Sequence, residues 1–217
     1  MSKPIVFNWP AASTTSVSAL QTLAGAGDLL INGSLSNLVP GSIINSPVAV
    51  FPNISRTVTL TSTNNLSGVN FNIAGYLNGN LVSQIIAGPN NSTVSTTQLF
   101  QSVTSITADA AAAAVSAGTG STGVTNWYSY DYYIDNANVG IQVAVTTTIN
   151  YSLQVTLDDV NTIANPVIFN PITAMTNATT KQLGNLIQPI RYSNIIINSS
   201  SGNGALTATY IQQGVRG

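Results

Sequence analysis

Between residues 139 and 157 large apolar side chains recur at every second position. The odd positions are Val139, Ile141, Val143, Val145, Thr147, Ile149, Tyr151, Leu153, Val155 and Leu157, and only Thr147 among them is polar. The even positions, from Gly140 and Gln142 to Gln154 and Thr156, hold no large apolar residue. This period of two predicts β-structure with one buried and one polar face. A single straight strand of that length would reach about 60 Å at about 3.3 Å per residue, so a bend or turn is expected at residues 146–148. A two-residue hairpin would move the buried set to even positions. The set stays odd, which leaves a bend or an odd-numbered turn. The hairpin that pairs Val145 with Ile149 is the preferred of the two.

Shorter alternating runs fill much of the remaining chain. Val58 and Leu60 alternate with threonines, and Val69, Phe71 and Ile73 follow after the turn-forming residues 64–68, so these two runs predict one hairpin. Asn78-Gly79 predicts a second, pairing residues 71–76 with 81–86. Ile195 and Ile197, then Gly202-Asn203-Gly204, then Leu206, Ala208 and Tyr210 predict a terminal hairpin. Residues 17–23 and 28–35 can each add a strand. The alanine run within 109–115 suits either a helix or a strand of small residues, and the strand is preferred because helix formers are scarce elsewhere. The glycine-rich residues 118–123 read as a flexible boundary. The expected fold is therefore all-β: an extended N-terminal arm over 1–16, a first antiparallel β-sandwich domain over 17–120 and a second over 121–217.

Composition narrows the chemistry. The chain has 217 residues, of which 5% are charged, and it has no His and no Cys. All six acidic residues are Asp. By count 24 Ser, 26 Thr and 25 Asn supply most of the polarity. A Ser-His-Asp triad, a cysteine nucleophile and a disulfide are excluded, and the usual ligands of zinc, haem and iron–sulfur clusters are missing. No catalytic residue, metal or cofactor is expected. Lys3, Arg56, Lys181, Arg191 and Arg216 are scattered along a chain of net charge −1, which argues against a nucleic-acid partner. No apolar run is long enough for a transmembrane helix, and no apolar stretch follows Met1-Ser2-Lys3-Pro4 to suggest a secretory signal, so no membrane partner and synthesis in a cytoplasm are expected. A surface of amides and hydroxyls with few charges suits a subunit covered by neighbours better than a free monomer.

Three places are candidate sites. Residues 127–133 hold Trp127, Tyr128, Tyr130, Tyr132 and Tyr133, residue types that give large rigid contact area. They fit a strand packed on its own domain, a protein interface or a sugar-stacking site. Phe7 and Trp9, beside Pro4 and Pro10, fit an arm that docks on a neighbour or folds back on its own domain. Asp158-Asp159, with Asn161, offers oxygen ligands for a hard cation, but its spacing does not match a calcium loop and a turn at a strand end is the preferred reading. The glycines at 118–123 and 202–204 lack the lysine and the strand-to-helix context of a phosphate loop.

Several of these stretches resemble virion structural proteins of tailed bacteriophages. They are residues 56–62, 65–75 and 103–108, the run 145–159 with Thr148-Ile149-Asn150-Tyr151-Ser152-Leu153-Gln154, and the ending 206–214 with Ile211-Gln212-Gln213-Gly214. The likeness spans roughly residues 20–214. It implies an all-β, jelly-roll-like sandwich carried on a virion, and it supplies no catalytic residue. The expected function is a non-enzymatic capsid decoration or cement protein, a homo-oligomer and specifically a trimer, bound to the phage major capsid protein or other virion subunits. The alternative is a tail or head-fibre component that recognises host glycans. A third reading, a hydrolase using Asp alone, requires two carboxylates together in a cleft, and the sequence offers only the adjacent pair 158–159.

Overall fold

A computed structural model describes residues 4–38, 47–131, 135–163, 165–201 and 203–215. In chain order the strands are β1 (Ile5–Trp9), β2 (Ser13–Leu23), β3 (Gly27–Asp28), β4 (Ser36–Leu38), β5 (Pro47–Val50), β6 (Ile54–Asn65), β7 (Asn70–Leu77), β8 (Asn80–Ala87) and β9 (Asn90–Ser95). They continue with β10 (Ser102–Ala108), β11 (Ala112–Thr125), β12 (Tyr128–Ser129), β13 (Asp135–Thr146), β14 (Ile149–Thr156), β15 (Gln182–Leu186), β16 (Tyr192–Ser200) and β17 (Ala205–Val215). The one helical element among the described residues is a 3-10 turn at Thr173–Met175. The fold is all-β, as the alternation predicts.

The chain forms two compact units, one of residues 12–123 and one of residues 1–11 with 124–217. In the first unit one sheet runs β4-β5-β10-β7-β8, with β3 on the far end of β10. The other runs β11-β6-β9, with β2 on β11. Val58, Leu60, Phe71, Ile73, Phe100, Val103 and Ile106 are among its buried apolar side chains. In the second unit one sheet runs β1-β17-β13-β15, and the other joins β12, β16 and β14. Val139, Ile141 and Val143 on β13 and Ile149, Tyr151, Leu153 and Val155 on β14 are all buried, and of the other apolar members of the odd-numbered set Val145 is half-buried and Leu157 exposed.

The segment expected as an arm divides between the units. β1 pairs residue by residue with β17, from Ile5 opposite Tyr210 to Trp9 opposite Leu206. Residues 13–16 instead begin β2, whose Ser13 lies opposite Thr119.

Four expected hairpins meet two outcomes: one forms, and three are crossings between sheets. Asn78-Gly79 turns as expected, with φ of 51° and 78°, the left-handed pair that a two-residue hairpin needs. Tyr76 then faces Leu81, and Phe71 faces Ile86. The break at 64–68 makes no hairpin, because β6 pairs with β9 and β7 with β8 and β10, in different sheets. The terminal hairpin fails in the same way: β16 pairs with β14 and β17 with β1 and β13. The long run 139–157 also changes sheet, at Thr147, whose φ is 55°. Val145 lies opposite Leu206, and Ile149 opposite Ser200. All three breaks are arches that carry the chain from one sheet to the other. An apolar face that points into a sandwich must still point inward after the crossing, and alternation alone does not distinguish this from a hairpin.

The glycine-rich residues 118–123 form the middle of strand β11, not a flexible linker. Space explains them. A Cβ on Gly118 would fall on the carbonyl oxygen of Ser13, and one on Gly120 would fall on the Thr57 hydroxyl. Arg56 uses the same close approach: Nε and Nη2 both donate to the Gly120 carbonyl. Burial lowers the pKa of this guanidinium to about 10, so it remains charged at neutral pH.

Gly118→Ala is expected to destabilise the protein by roughly 1–3 kcal/mol, the usual cost of forcing atoms into filled space. Gly25→Ala is expected to be close to neutral, because an added Cβ there meets nothing within 4 Å. Denaturant unfolding of the two variants beside the parent protein checks both.

Candidate interaction surface

The aromatic residues near the start of the second unit build core. Tyr128, on β12, sits edge-on to Tyr130 with ring centroids 4.7 Å apart, and 5.5 Å from the ring of Tyr210 on β17. Phe7 on β1 meets the same Tyr210 ring edge-on at 5.7 Å. These contacts bridge the two sheets of the unit. Tyr130 is 3% exposed, and its hydroxyl lies 2.6 Å from that of Ser193 on β16. Burial pushes its pKa well above the ordinary phenol range. Tyr151 is raised to about 12 for the same reason.

The side chains of Phe7, Trp9 and Tyr130, offered above as interface candidates, are buried within the chain. Trp127 and Tyr128 are half-buried. Tyr132 and Tyr133 lie outside the described residues.

The adjacent carboxylates are also used internally. Asp159 accepts the Asn161 backbone N–H at 3.1 Å, the Tyr192 hydroxyl at 3.3 Å and Arg191 Nη2 at 2.8 Å. Arg191 stands 5.4 Å from the centroid of the Tyr192 ring. Asp158 accepts the Val167 N–H at 2.6 Å. The pair thus anchors the turn and the loop that follow β14, as the turn reading expects. Among the described residues no group of three or more acidic side chains converges.

Three groups of exposed apolar side chains lie elsewhere, in addition to Leu20, Leu30 and Ile187. The loop after β14 carries Leu157, Ile163, Val167, Ile168 and Phe169. The outer face of the sheet β1-β17-β13-β15 carries Val6, Ile211 and Leu183, the last 80% exposed. Asn138, Gly140, Asn185 and Gln213 line a groove of about 460 Å³ there with Leu183 and Ile211, and none of these residues is ionisable. On β8, at the end of its sheet, Leu81 and Ile85 are 69% and 67% exposed. None of the three places carries the cluster of Trp and Tyr by which a contact surface is sought in a sequence. A signal was present in residues 81–86, where Leu81 and Ile85 fall on one parity and Val82 and Ile86 on the other. A strand apolar on both parities has a second face to cover.

No family model and no curated protein sequence matches the chain. Among solved structures, the major capsid protein P2 from Bacteriophage PM2 aligns over 98% of each chain, with 10% identity and a TM-score of 0.22. The fold described above rests on its own sheets and not on that likeness.

The Asn161 N–H, Arg191 and Tyr192 together hold the Asp159 carboxyl below the usual carboxylate range. A depressed folded-state pKa stabilises the protein above the unfolded value and loses that contribution as pH falls through the folded one. Asp159→Asn is expected to lower the melting temperature at pH 7, and the deficit should shrink as pH falls from 7 through the folded-state pKa of Asp159. Thermal unfolding of both proteins across that range checks it.

Proposed function

We propose that this chain is a structural protein of a bacteriophage virion that works by lying against other polypeptides, and specifically that it decorates and cements an assembled capsid. The observation that carries the reading is the exposed apolar side chains set in a surface nearly without charge. Leu183, Ile187, Leu81, Ile85 and Phe169 are each more than half exposed, in a chain that is only 5% charged. Isolated exposed apolar residues are ordinary, but groups of them in a charge-poor surface favour burial against partners. The sequence resemblance to tailed-phage virion proteins supports the same reading.

Such a protein acts by linkage. Its contact area is complete only where neighbouring capsid subunits are correctly joined, so its binding free energy stabilises the assembled shell over its parts. The phage major capsid protein is the proposed partner, the virion the proposed location and a homotrimer the proposed state, since closed cyclic symmetry repeats one contact without leaving open ends.

Purified protein mixed with undecorated phage heads is expected to co-sediment with them and to raise the temperature at which the shells come apart. Phe169→Asp combined with Leu183→Asp is expected to weaken co-sedimentation at least tenfold while leaving the fold intact, because both side chains are exposed. Absence of binding to heads, with retention on host surface extracts, would favour the glycan-recognising alternative.

A further inference from the structure

Among the described residues strand β8 ends its sheet, with β7 on one side and no strand on the other. The hairpin register fixes which of its backbone groups are in use. Leu77 lies opposite Asn80 across a two-residue turn, so Asn80, Val82, Gln84 and Ile86 exchange hydrogen bonds with β7. The other side of β7 agrees: its even residues face β10 and its neighbours, as Gln101 N–H to Tyr76 C=O and Asp109 N–H to Asn70 C=O show. Leu81, Ser83, Ile85 and Ala87 therefore turn N–H and C=O outward along the open edge. No backbone hydrogen bond from another described segment reaches them.

The strand is firmly held behind that edge. Gln84 Oε1 accepts the N–H groups of Thr97 and Gln98 at 2.9 and 2.8 Å, and its Nε2 donates to the Thr97 hydroxyl at 3.0 Å. Natural edge strands are normally blunted by lysine, proline or an inward-pointing charge. Residues 70–87 contain no charged residue and no proline.

We propose that β8 pairs antiparallel with β8 of a second copy of this chain, about a two-fold axis through Ser83. The strand is self-complementary about that residue. Ser83 meets Ser83 of the second copy, and Leu81 meets Ile85 of the second copy in both directions. All of these are outward-facing positions, so each pair exchanges its N–H and C=O bonds. The side chains agree with the backbone: Leu81 and Ile85 share the outer face with Tyr76, and pairing extends that apolar row across the axis. No charge on either strand opposes the contact. An unrelated partner would need its own matching strand, whereas a second copy already carries one.

The contact is small. Edge pairing over about five residues per copy buries well under the roughly 1,200 Å² of a stable standard interface. The dimer is accordingly weak in dilute solution, forming near tens of micromolar, and is filled when copies are held close together. This two-fold contact is separate from the three-fold one proposed above and does not depend on the virion reading.

The test is sedimentation velocity of the whole chain over a concentration series, with hydrogen exchange measured at both ends of it. The expected result is a concentration-dependent dimer in which the Leu81, Ser83 and Ile85 amides gain at least tenfold protection. Ile85→Lys is expected to abolish the dimer, and Ser92→Lys, the same charge change on the exposed strand β9, is expected to leave it. Ser83→Pro, at a position whose N–H faces away from β7, is a second variant expected to abolish it without disturbing the hairpin. A dimer that survives Ile85→Lys, or β8 amides indifferent to concentration, overturns the proposal. So does a chain that stays monomeric while these amides become protected only on phage heads, since the occupant would then be a capsid strand. Failure to bind heads with the dimer intact counts against the virion reading alone.

Discussion

The structure depends on burying one alternating face of each sheet against the sheet opposite. Most of the buried apolar side chains stand on strands, and each sandwich must close over its own. The chain meets that demand by crossing between sheets at its most polar breaks: after Asn65, at Thr147 and between Ser200 and Ala205. Each crossing delivers the next inward-facing set to the other wall. The odd set of β13 and β14 is one continuous stripe folded over the core, with Val139, Ile141 and Val143 on one wall and Tyr151, Leu153 and Val155 on the other.

Close approach is the second constraint, and small residues meet it. The β11 glycines let β2 and Thr57 come nearer than any side chain allows, and Arg56 turns the buried carbonyl of Gly120 into an anchor. Hydroxyls do comparable work along the strands. Thr96 Oγ1 accepts the Val58 N–H at 2.9 Å and donates to the Gln98 carbonyl at 2.8 Å, closing the sheet where β9 ends. The abundance of Ser, Thr and Asn thus satisfies backbone groups at strand ends and crossings without using charge.

The parts of this legible in sequence were those set by local rules. Class followed from alternation, and the Asn78-Gly79 hairpin followed from the left-handed conformations its turn needs. The turn at Asp158-Asp159 was legible for the same reason, since short carboxylates accept nearby N–H groups. The partner of each strand was not legible, because a strand running from Val139 to Val145 looks the same whether it returns beside itself or crosses a core. The glycines of 118–123 misled because flexibility and tight packing draw on the same residue. The aromatic run left core, interface and sugar stacking all open, because the ring of Tyr210 that packs on Tyr128 comes from some eighty residues away in sequence.

The groove beside Leu183 and Ile211, with no ionisable wall, carries a thermodynamic consequence. Association through such a surface draws on water release and is entropy-driven near room temperature. It loosens on cooling and tightens in sulfate or phosphate, whereas charge screening leaves it almost untouched. An assembly joined this way would withstand large swings in salinity and be most easily taken apart in the cold.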